Sequence, residues 1–113
     1  MTSSLTPLQV IENLTFIGKQ IDEKTKELEQ LDEDAVIARA AHKRNFAKHF
    51  LTTEGSMDIR KFTAELKTEK EYLDYELCEQ KMRACQSQLR ALRDRLEIGR
   101  SLSPLIRLEW GQS

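Results

Sequence analysis

Residues 75–96 read YELCEQKMRACQSQLRALRDRL. Tyr75, Cys78, Met82, Cys85, Leu89, Leu92 and Leu96 follow one another by threes and fours without an error. That spacing keeps them on one narrow helical stripe, the pattern of a coiled-coil seam. A strand would scatter them over both faces, because its side chains alternate with period two. Leu77, Ala84 and Ala91 form a second row beside the first. One row can face another helix; the other is left for the C-terminal segment, a second copy or a partner.

Upstream, Ile59, Phe62, Leu66, Leu73 and Leu77 line one side of the first half of the same helix, predicted over about 57–99. Before it, Thr52-Thr53-Glu54-Gly55-Ser56 is a break. Gly55 suits the left-handed position after a helix, Ser56 suits an N-cap, and Asp58 sits in the first turn. The turn is therefore placed at 53–56.

An earlier helix is predicted over about 7–52. Thr6 is its N-cap, Pro7 its first residue and Gln9 the capping-box partner, with Leu5 and Val10 at the hydrophobic-staple positions. Val10, Leu14, Ile17, Ile21, Leu28, Leu31, Ala35 and Ala38 form a matching seam. Lys24 interrupts it, where a long aliphatic stem can cover the seam with its ammonium in water. Beyond Ala38 the strict repeat falls on His42, Asn45 and His49, while the apolar residues drift to Ala41, Phe46, Ala47 and Phe50. Such a drift predicts that the supercoil relaxes.

Gly99 and the serines around it loosen the second helix, and Ser103-Pro104 reads as a fresh N-cap and first helical residue. Residues 100–113 are thus expected to be a separate short helix or tail. The whole, 1–113, is read as one all-α domain: a long antiparallel two-helix coiled-coil hairpin with a short C-terminal helix or tail. A short turn makes successive helices antiparallel neighbours. Charge agrees: the acidic stretch Asp22–Asp34 falls opposite Lys81 and Arg83, and Arg39, Lys43, Arg44 and Lys48 fall opposite Glu65, Glu69 and Glu71.

Composition narrows function mainly by exclusion. Charged residues make up 33% of the chain and aromatics 6%, so long exposed helices fit better than a compact αβ domain. A net charge of −1 lacks the basic excess usual in nucleic-acid binders. Met1–Thr6 has no leader character and no apolar run approaches a membrane span, which predicts a cytoplasmic protein with free thiols and no membrane partner.

Chemistry-bearing residues are dispersed. Cys78 and Cys85 are seven apart on one helix, too far for a disulfide and outside zinc-ligand spacing. His42 and His49 are also seven apart and fall opposite residues near 68 and 61, away from the cysteines. The carboxylates interleave with Lys and Arg, as on a solvated face. No catalytic residue, metal site, cofactor or small-molecule substrate is expected, and an enzyme is the least favoured class.

Two features point to binding. Leu102, Leu105, Ile106, Leu108 and Trp110, with Arg107, put many apolar groups near the chain end, as a partner-binding segment would. The plainer alternative folds this segment back over Leu8, Ile11 and Leu14. Two basic stretches, with Arg39, Lys43, Arg44 and Lys48 in one and Arg90 and Arg93 in the other, could meet phosphates or be paired within the hairpin.

Three segments carry a resemblance: Glu54-Gly55-Ser56-Met57-Asp58-Ile59-Arg60, Leu89-Arg90-Ala91-Leu92-Arg93-Asp94-Arg95-Leu96 and Gly99-Arg100-Ser101-Leu102-Ser103. They resemble small uncharacterised helical proteins encoded by tailed bacteriophages, over roughly the C-terminal half. The resemblance implies a bacterial host cytoplasm and an accessory or host-directed role, and brings no catalytic residues. The expected function is a non-enzymatic interaction module binding a larger protein. The alternatives are a nucleic-acid accessory of recombination or replication, and a self-associating structural coiled coil, such as a homodimer forming a four-helix bundle.

Overall fold

The computed structural model describes residues 6–111, which are all-helical, with no strand among them. Helix α1 spans Pro7–Thr52, α2 Met57–Lys67 and α3 Glu69–Gly111.

Local chemistry accounts for the boundaries. At the start of α1, the Thr6 amide donates to Gln9 Oε1 (2.9 Å) and the Gln9 amide to Thr6 Oγ1 (3.1 Å), a reciprocal capping box. Leu5, its expected staple residue, lies outside the described residues. After α1, Gly55 has φ of 120°, a conformation that L side chains rarely adopt. Ser56 Oγ then accepts from the Ile59 amide and caps α2.

The second helix begins at Met57 as expected but departs from its expected 57–99 extent in two ways. It is divided at Thr68, whose backbone (φ −112°, ψ 14°) leaves the helical range. The Thr68 hydroxyl donates to the Ala64 carbonyl at 2.7 Å, and so does its amide at 3.1 Å. Such back-bonding can bend helices, but Thr15 and Thr25 make the same bond inside an undivided α1, so it does not by itself account for the break. Toward the C-terminus, the break expected after 99 is not seen among the described residues: α3 runs through Gly99 and Pro104 to Gly111, and residues 112–113 of the expected segment lie outside the described residues. The Ser103 hydroxyl donates back to the Gly99 carbonyl and that of Ser101 to the Glu97 carbonyl, so Ser103 acts inside a helix and not as a cap.

Contacts group the chain into two units, one of residues up to Glu27 with Cys85 onward, the other Leu28–Ala84. In the first, the early part of α1 runs antiparallel to the later part of α3: the Cys85 thiol donates to the Lys24 carbonyl (3.6 Å), and Leu14 lies against Gly99. Val10, Cys85, Leu89 and Leu92 are buried. Lys24 keeps its seam position half-buried, its ammonium 3.0 Å from Glu27 Oε2, and this carboxylate raises the Lys24 pKa. A Cβ at Gly99 would meet the Leu14 Cδ2 methyl, which a small side chain could displace and a large one could not without overpacking. Gly99→Leu is therefore expected to destabilise by about 1–2 kcal/mol in urea unfolding, because overpacking outweighs the gain in helix propensity. An unchanged midpoint would mean that the helices do not meet there.

In the second unit, Ala35, Ala64 and Thr68 are buried between the later part of α1 and the α2–α3 segment. The three-and-four count continues backward from Met82 through Cys78, Tyr75, Glu71 and Thr68 to Ala64, all buried or half-buried. On α1 the strict repeat also persists inward at His42, Asn45 and His49, and Ala47 is exposed. The expected drift is thus a broadening, with Phe46 and Phe50 half-buried beside a polar seam. Asn45 Nδ2 donates to Glu71 Oε1 across it at 3.2 Å.

Candidate interaction surfaces

The apolar side of the α2–α3 segment is not its packed side. Ile59, Phe62, Leu66, Leu73 and Leu77 are all exposed, from 45% at Leu77 to 74% at Leu66. The seam phase explains this. With Ala64, Thr68, Glu71 and Tyr75 turned inward, helical geometry puts Ile59, Leu66 and Leu73 on the opposite face. Phe62 lies on one shoulder of that stripe and Leu77 on the other. The row is interrupted once, where Glu69 and Lys70 stand between Leu66 and Leu73, but exposed apolar residues gathered on one face mark a candidate interaction surface.

A cleft of about 440 Å³ lies within the same unit, lined by His42, Phe46, Glu65, Thr68, Glu69 and Tyr72. The His42 and Tyr72 ring centroids are 5.3 Å apart, and those of His42 and Phe46 6.1 Å. The Glu76 carboxylate beside Tyr72 holds its phenol above the ordinary value of 10.0. The rings and Glu71–Asn45 fill space that aliphatic seam residues occupy in the first unit.

The predicted partner-binding residues belong to the first unit and lie along the end of α3. Leu102 and Ile106 line a small cleft with Val10, Leu14 and Ile17. Leu105, Arg107, Leu108 and Trp110 are exposed. Fold-back over Leu8 and Ile11 is not seen, since both are exposed, although Leu14 does meet this segment.

Arg39, Lys43, Arg44, Lys48, Arg90 and Arg93 are all exposed. The three ion pairs among the described residues, Lys24–Glu27, Glu79–Arg83 and Glu97–Arg100, each lie within one helix. None of the cross-helix charge pairs expected from the sequence is among these three ion pairs; Glu71 instead accepts from Asn45.

No group of three His, Cys, Asp or Glu residues among those described is placed to hold a metal ion. Cys78 is a half-buried free thiol and Cys85 a buried one. No described helix is long and apolar enough to cross a membrane. No protein-family model, curated protein or solved structure matches the chain.

The sequence reading placed its binding residues at the chain end and did not single out the α2–α3 stripe as a site. The signal was present: carrying the Cys85–Leu89–Leu92 phase backward through Thr68 turns Leu66 and Leu73 outward. It was masked because the inward positions there are polar or small.

Proposed function

We propose that this chain is a non-enzymatic interaction module: a long antiparallel coiled-coil hairpin that presents an apolar stripe to protein partners. The observation that carries the reading is the exposed row Ile59, Phe62, Leu66, Leu73 and Leu77 on the face opposite a packed polar seam. Apolar side chains left about half to three-quarters exposed gain roughly 1–2 kcal/mol each when the remainder is covered. The exposed residues at the end of α3, Leu105, Arg107, Leu108 and Trp110, offer a second contact. The resemblance to tailed-phage proteins fits an accessory or host-directed regulator working in a bacterial cytoplasm.

The test uses the full chain and a Phe62→Lys, Leu66→Lys variant, each immobilised and challenged with lysate of the native source and with the purified chain itself. The variant is expected to keep its far-UV circular dichroism and to lose at least nine-tenths of the captured protein (about tenfold, a modest hot-spot loss). Equal capture by both chains, from both sources, would sink the reading. A chain ending at Ser101, run alongside, reports what the end of α3 adds.

A second reading, a nucleic-acid accessory, draws on the exposure of the six basic residues named above, none of which belongs to the three ion pairs of the described residues. It requires retention of DNA or RNA at low salt that falls steeply as salt is raised.

A further inference from the structure

We propose that the α2–α3 stripe docks on the same stripe of a second copy, parallel and in register; this rests on the interaction reading above and names its partner. The charges beside the stripe carry the inference. On the shoulder that holds Phe62 lie Glu65, Glu69 and Glu76; on the shoulder that holds Leu77 lie Lys67, Lys70 and Lys81, with Asp74 the acid among them. All seven are exposed, and none takes part in the three ion pairs of the described residues.

One acidic and one basic shoulder discriminate between the ways two identical helices can meet. A two-fold axis running along the helices sets each acidic shoulder against the basic shoulder of the other copy, on both sides of the contact. The apolar residues then meet their own counterparts, Leu66 on Leu66 and Leu73 on Leu73. A two-fold axis across the helices sets acid against acid and base against base. Like charges at such flanking positions disfavour a pairing, and opposite charges select it. The apolar row supplies the attraction and the shoulders choose the orientation.

Size and access are consistent. From Ile59 to Leu77 the stripe is about 27 Å long at 1.5 Å per residue. Stable interfaces take about 800 Å² from each partner, and a single helix pair of this length falls toward the low end. A weak dimer, with a dissociation constant on the order of micromolar, is the expected result. Within its unit, α1 packs on the opposite face of the α2–α3 segment, so nothing there obstructs the approach.

Sedimentation of the full chain over a concentration series is expected to show a monomer–dimer equilibrium. Leu66→Lys with Leu73→Lys is expected to weaken it about a hundredfold while leaving the circular dichroism of the dilute chain unchanged. Orientation is read from Leu66→Cys under mild oxidation, with the wild type alongside to control for Cys78 and Cys85. In the parallel dimer the two introduced thiols face each other and a covalent dimer forms. In an antiparallel dimer position 66 meets position 73, and the two copies of position 66 sit about 10 Å apart along the axis, beyond disulfide reach. A covalent dimer absent from the wild type supports the proposal. A chain that stays monomeric to millimolar concentration overturns it; so does preferential cross-linking in a mixture of Leu66→Cys and Leu73→Cys chains. If self-association is absent but lysate capture still depends on Phe62 and Leu66, this inference fails and the interaction reading stands.

Discussion

Leu89→Ala is expected to cost about 2–4 kcal/mol in urea unfolding, whereas Leu66→Ala at a dilution that keeps the chain monomeric is expected to stay within about 0.5 kcal/mol of wild type. Both are leucines in the second half of the chain, and both belong to rows spaced by threes and fours. They differ in which way the row points. Leu89 is 3% exposed beside Cys85 and Leu92, and truncation removes a buried isobutyl group and opens space that the paired helices refill only partly. Leu66 contributes nothing comparable within the chain, and leucine and alanine have similar helix propensities. Equal losses at the two positions would mean that the α2–α3 segment packs through its apolar side.

Pro104→Ala is expected to stabilise the end of α3 by as much as about 3 kcal/mol, the usual cost of a proline in a helix interior. Proline has no amide hydrogen for the Arg100 carbonyl, and its ring crowds that turn. The effect is local, and it should be read as slower amide exchange over roughly 100–111 with a small rise in helicity. The contrary arrangement is well defined. Were Ser103 the cap of a new helix, Pro104 would sit at a first position where its missing donor costs nothing, and alanine there would be neutral or mildly harmful. A neutral outcome would therefore restore the broken-helix reading of this segment.

These two substitutions mark how far the sequence could be read. The start of α1, the turn at Gly55 and the Cys85–Leu89–Leu92 seam were legible because each rests on short-range chemistry: a reciprocal cap, a positive φ and a strict apolar repeat. Thr68 and Pro104 were not, because the usual propensity rules mislead at both. A threonine in mid-helix is a mild penalty on average, and Thr15 and Thr25 make the same back-bond to the fourth preceding carbonyl inside an unbroken α1, so nothing in the residue type marks Thr68 as a break. Ser-Pro is a frequent helix opening, yet here the serine bonds backward to the Gly99 carbonyl and the helix continues. The candidate site was hidden by the assumption that the most apolar side of a helix is the packed one. Glu71 with Asn45, and Thr68 near His42, take the inward positions in the second unit, so its leucines are turned outward.

The polar seam of that unit has a thermodynamic corollary. The helices there are joined through an Asn–Glu hydrogen bond, a buried threonine and alanines, and the half-buried Phe46, Phe50, Cys78 and Met82, so the docking proposed above would add to an already folded segment by covering its outer face. Occupancy and rigidity are then linked by mass action. Under the docking proposed above, this segment is expected to melt later as total concentration rises, while the Leu89 end is largely indifferent. Its melting temperature would then be a gauge of how much of the protein is engaged.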